Sequence, residues 1–160
     1  MTTLDAARQR LAFLLETVTL EAEHLRVTDQ RLFTERFTPE RAATLRADVA
    51  LAEQLDAFGA RFARLQDTAG DKLLPALLSG LGERVGSVLD NLDRAARLGL
   101  LAEASDTWVA ARAPRNRMVH EYIRDPSLLA RAVNEAHDKV PMLLRFVEAC
   151  HSYAAQRRLT

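Results

Sequence analysis

With 160 residues, 48% of them hydrophobic, the chain can bury one sizeable core and is too short for two domains to be the working expectation, so a single domain spanning 1–160 is predicted. Its 22 Lys and Arg side chains cancel 22 Asp and Glu. That balance excludes the broad positive field with which basic proteins gather nucleic acid, so any contact with RNA or DNA must be local.

Six glycines and five prolines are few for an all-β protein, while Ala, Leu, Arg and Glu recur throughout, and the composition predicts an all-α helical bundle. Leu4, Leu11, Leu14, Val18 and Leu25 share one stripe of a long first helix that covers about the first quarter of the chain. A second helix is predicted to start at Thr38-Pro39-Glu40, which offers an N-cap, a proline for the first helical position and an acid for the first turn. Along it Ala47, Leu51, Leu55, Phe58, Phe62, Leu65 and Ala69 keep a four-and-three rhythm, the seam of a helix pair or of a dimerising bundle. Gly70 and Pro75 predict that this helix ends near Gly70, with a turn or two through Leu73–Leu78.

Ser87 with Asp90 predicts a third, short helix whose apolar face is Val88, Leu89, Leu92 and Ala96, closed by Gly99 in the left-handed conformation. Ser105-Asp106-Thr107 opens a fourth, which carries Trp108 as a core residue and runs on through Tyr122. Pro114, unable to donate to the carbonyl of Ala110, is expected to kink it just before Arg115. Asp125-Pro126 caps a fifth helix running to about Tyr153, with Leu129, Val133, Ala136, Val140, Leu144 and Val147 inward and a bend at Pro141.

The chemistry concentrates between Arg112 and Arg131, where Arg112, Arg115, Arg117, Arg124 and Arg131 are opposed only by Glu121 and Asp125. Arginine is a planar, permanently charged donor suited to phosphate, and His120 is the side chain type that exchanges protons near neutrality. At about 100° per residue, Asn116 and His120 share a helix face, as do Arg115 and Tyr122, whereas Arg115 and His120 lie about 140° apart. They can meet only across a groove, through the arginine's reach or with help from a second chain, which points to a site at a dimer interface. Arg112, Arg117 and Arg124 are candidate RNA contacts. For Arg112 an ion pair with Glu121 or Asp67 is the competing expectation, and for Arg117 a solvated helix face.

Glu21-Ala22-Glu23-His24 holds one E-x-x-H, but the second copy that a carboxylate-bridged di-metal bundle needs is absent, so no metal site is expected. His137 and His151 have no ligand partner at useful helical spacing. Cys150, the sole cysteine, is expected to be a small buried residue; with MTTLDAARQR lacking a signal-peptide core and no spanning apolar run, the chain reads as cytoplasmic.

The run Trp108…Arg112…Arg115-Asn116…His120-Glu121-Tyr122, W-x3-R-x2-RN-x3-HEY, resembles the R-x4-H-x-Y signature of the HEPN domains of HepT-type toxins. The resemblance covers Trp108 to Tyr122 and implies a dimerising helical bundle, with two copies of the motif lining one cleft, acting as a metal-independent endoribonuclease without a cofactor. It implies that His120 assists attack of a ribose 2′-OH on the adjacent phosphate, that Arg115 steadies the phosphorane charge and that Asn116 positions the site. It also implies that a minimal nucleotidyltransferase antitoxin transfers AMP to Tyr122. Ala113-Pro114 departs from the family pattern. That departure and the neutral overall charge leave room for an alternative, a non-catalytic HEPN subunit that presents substrate, or Tyr122, to a nucleotidyltransferase.

Overall fold

The computed structural model describes residues 1–120 and 124–160, with only the backbone for Val119 and His120. The fold is an all-α bundle with no strand among the described residues. Its helices are α1 (Thr3–Leu32), α2 (Pro39–Ala43), α3 (Val49–Asp67), α4 (Leu74–Gly80), α5 (Val88–Arg97), α6 (Ser105–Ala110), α7 (Arg112–His120) and α8 (Pro126–Gln156). The long helices α1, α3 and α8 pack on one another, α2 lies on α8, and α7 contacts both α3 and α8. No helix is long and apolar enough to cross a membrane among the described residues.

Local capping chemistry sets many of the helix starts. Thr38 Oγ1 accepts from Arg41 N at 3.1 Å, the Ser87 hydroxyl and Asp90 carboxylate form a reciprocal capping box, and Asp125 Oδ1 accepts from Ser127 N at 2.9 Å. Gly99 adopts φ +79°, and Leu100 N returns to Ala95 O at 2.9 Å, the closure predicted for the helix before it. The expected buried stripes are largely present: Leu11, Leu14, Val18 and Leu25 of α1, Leu55 to Leu65 of α3, and Leu129 to Val140 of α8.

Several expectations are corrected. Leu4 and Leu89 are exposed; Leu4 stands in the first turn of α1, and on α5 the inward positions are Asn91, Leu92 and Ala95. The helix starting at Pro39 lasts only five residues and passes through a 3-10 turn at Thr44–Arg46 before Asp48, whose carboxylate accepts from Leu51 N at 3.0 Å, starts α3 afresh. Ala47 therefore sits at a break and is exposed. Ser105 opens α6 as expected, and its hydroxyl donates to Asp93.

The largest correction is at Gly70. The helix does not end there but widens into a π-helical segment, Thr68–Leu73, and continues as α4 to Gly80. Leu74 N donates five residues back to Ala69 O, and Pro75, which has no N–H, falls where the wide register gives way to the α register. The glycine serves close approach: a Cβ there would stand 3.0 Å from Trp108 Nε1. Trp108 is fully buried and meets Phe146 edge-on, with ring centroids 4.8 Å apart.

Gly59 has no such reason to be glycine. Inside α3, a Cβ at this position would meet only Met118 Cε, at 4.0 Å. Gly59→Ala is accordingly expected to stabilise the protein by about 0.5–1 kcal/mol, since it removes unfolded-state freedom without a clash. Urea denaturation of the two chains checks this, and a destabilised variant refutes it.

Candidate functional site

The predicted helix 105–122 is divided. α6 ends at Ala110, Ala111 forms the turn, and α7 restarts at Arg112. Pro114 thereby becomes the third residue of a new helix, in the first turn, where a backbone N–H has no intrahelical acceptor. The break at Ala111 falls inside the Ala110–Pro114 span whose hydrogen bond the proline could not have made, and Pro114 itself is buried. Met118, also buried, anchors α7 beside Gly59 on α3.

Arg115 is turned toward α3. Its Nη1 donates to Asp67 Oδ1 at 2.8 Å, to Gln66 Oε1 at 3.2 Å and to Ala63 O at 3.3 Å, and its side chain is only 15% exposed. Gln66 is fully buried, and its Nε2 donates at 2.7 Å to the carbonyl of Trp108, so a single amide holds both the end of α6 and the first catalytic candidate of α7. One turn back, Arg112 Nη2 pairs with Asp71 Oδ1 at 3.3 Å, and its buried Nε has no partner among the described residues. Among the described residues the partner of Arg112 is thus Asp71 of the π-helical segment, and Asp67 belongs to Arg115, while the expected pairing with Glu121 lies outside those residues.

These pairs revise the local charge balance, because two acids from a distant stretch of sequence stand against two of the arginines. Asn116, Arg117 and Arg124 are exposed, as is Arg131. The structure brings Arg112, Arg115, Asn116 and Arg117 together on one short helix, with Arg124 just before α8. The side chain of His120, and Glu121 and Tyr122 entirely, lie outside the described residues, so the expected pairings of Asn116 with His120 and of Arg115 with Tyr122 rest on the sequence alone.

Two histidines dismissed for want of local partners find them on other helices. His137 stacks on Phe33, with ring centroids 3.8 Å apart, and its Nδ1 lies 2.6 Å from Asp29 Oδ1. Burial holds the Asp29 carboxyl above its usual range, against the pull of that hydrogen bond. His151 Nε2 lies 2.6 Å from Thr19 Oγ1. Sequence reasoning missed both because each pair joins α1 to α8, and no spacing rule reaches across a bundle. Cys150 is fully buried, and burial pushes its thiol up to about 12, which suits a core residue and not a nucleophile.

In the E-x-x-H stretch, Glu21 Oε1 accepts from Thr68 Oγ1 at 3.1 Å, while His24 is exposed. The other carboxylate oxygen of Glu21 is buried without a partner among the described residues, and burial raises its pKa above the ordinary 4.5. A carboxyl raised in the folded state stabilises the fold below its unfolded pKa, and that stabilisation is lost as pH rises through the folded value. Glu21→Gln does not titrate, so the stability of the parent relative to this variant is expected to fall as pH rises through and above the ordinary carboxylate range. Denaturation at several pH values tests this, and a pH-independent difference contradicts it.

Comparison with protein-family models, with curated proteins and with solved structures gives no match to this chain.

Proposed function

We propose that this chain is a HEPN-type endoribonuclease toxin that needs no metal and cleaves RNA by internal attack of a 2′-OH at a cleft formed between two copies. The observation that carries the reading is the grouping of Arg112, Arg115, Asn116 and Arg117 on the nine-residue helix α7, whose last residue is His120. In this reading His120 takes and returns the proton, Arg115 stabilises the charge developing on phosphorus, and Asn116 orients the phosphate. Arg117 and Arg124, exposed around it, supply the local positive charge that the neutral chain lacks as a whole, and Arg112 adds to it once freed from Asp71. A minimal nucleotidyltransferase antitoxin silences the site by modifying Tyr122.

The test is RNA cleavage by the purified chain in EDTA, with and without His120→Ala, and with and without a nucleotidyltransferase and ATP. Cleavage in EDTA that the substitution leaves untouched sinks the catalytic assignment. One observation favours a second reading, a non-catalytic HEPN subunit that presents substrate or Tyr122 to a nucleotidyltransferase: Arg115 is already held by Asp67, Gln66 and Ala63. That reading expects partner binding and no cleavage by the parent chain.

A further inference from the structure

Arg115 and Arg112 stand on successive turns of α7, and Asp67 and Asp71 stand on successive turns where α3 passes into the π-helical segment, so the two pairs form a short ladder between helices. The two sides of the ladder are unequal. Arg115 is 15% exposed, whereas the Asp67 side chain is 48% exposed, so the carboxylate can swing into water at little desolvation cost while the guanidinium stays in place. All of the hydrogen bonds that Arg115 makes among the described residues leave from Nη1, and two of the three acceptors, Gln66 Oε1 and Ala63 O, are neutral and remain if Asp67 leaves. A guanidinium has five N–H donors in a fixed fork, so Nη2 and Nε can take up an anion without loss of those neutral anchors.

We propose that Asp67 is an internal counter-ion for the anion site of Arg115, a carboxylate that a nucleic-acid phosphate displaces on binding and that sets how weakly the resting chain holds RNA. This rests on the reading of Arg115 as the phosphate-contacting residue. Asp67 acts through Arg115 and is a positioning residue, not a catalytic one. Asp71 plays the same part toward Arg112, with a longer contact of 3.3 Å. A chain with no net charge thus keeps Arg115 and Arg112 covered until a polyanion arrives.

The test measures binding of a labelled single-stranded oligodeoxynucleotide to the full chain; it has phosphates but no 2′-OH, so binding is read without cleavage. Asp67→Asn is expected to bind roughly tenfold more tightly than the parent, with a dependence of log K on log salt steeper by up to about 0.7. Asp67→Ser, which also lacks the charge, is expected to match it, and Asp67→Glu to stay near the parent. In an Arg115→Ala background, Asp67→Asn is expected to change nothing. The proposal is overturned if Asp67→Asn and Asp67→Ser bind no more tightly than the parent, if no variant binds, or if the tightening persists without Arg115. Cleavage decides the other question separately. Tightening with no RNA cleavage by the parent removes the ribonuclease reading and leaves the counter-ion standing, whereas cleavage without tightening removes only the counter-ion.

Discussion

Replacing Trp108 with alanine is expected to lower the free energy of unfolding by about 3–5 kcal/mol, the usual cost of removing a large aromatic side chain from a closed core. The side chain is fully buried, lies edge-on to Phe146 of α8 and presses on the backbone at Gly70, so three separately folded stretches lose contacts together. Small domains are commonly stable by about 5–15 kcal/mol, so the variant should be near the edge of folding. The indole Nε1 has no hydrogen-bond partner among the described residues, so Trp108→Phe breaks no such bond and should be much milder. Because Trp108 is the sole tryptophan, circular dichroism rather than fluorescence must follow the alanine variant. A loss below about 1 kcal/mol, typical of surface positions, would mean that the site is not closed.

On the proposed ribonuclease reading, loss of cleavage is the second large effect expected. His120→Ala is expected to reduce the rate of RNA cleavage by about two to four orders of magnitude, the usual contribution of a general acid or base. Arg115→Ala should reduce it by about two to three orders, the usual cost of removing one donor to developing anionic charge. The two substitutions differ in what they do to the fold. Removing Arg115 leaves the buried Gln66 amide oxygen without its donor and takes one donor each from the Asp67 carboxylate and the Ala63 carbonyl, so that variant should also unfold more readily. Arg115→Lys restores a charge without the planar fork and should recover stability better than rate. Cleavage rates measured beside urea midpoints separate the two effects; a stable Arg115→Ala chain with unchanged rate would remove arginine from the mechanism.

The parts of this fold legible in the sequence are those written in a few consecutive residues. Thr38-Pro39, Ser87 with Asp90, Asp125-Pro126 and Gly99 each specify a helix end through a side chain or a φ angle of their own, and each acts where expected. Gly70 was misread because a glycine that ends a helix and a glycine that admits an indole look identical until the indole is placed. Pro75 reinforced the error, since a proline breaks an α ladder but costs little where the ladder is changing register. Pro114 predicts a kink in a continuous helix, whereas the chain already turns at Ala111. The site divides along the same line. Its arginines and Asn116 were visible as a run, but the acids that cover them come from more than forty residues earlier, with Asp67 and Arg115 separated by 48 positions.

The ties between α1 and α8 bear on how the chain is made. Asp29 and His137 lie 108 residues apart, and Leu15 and His151 lie 136 apart, so α1 is made well before it can meet α8. Synthesis at about 5–20 residues per second leaves the inward leucines of α1 without α8 for several seconds, a period in which they can only pack on α3 or attract other chains. The ties between α1 and α8 can form only once α8 has been made, and a chain cut short before α8 would leave that face of α1 uncovered.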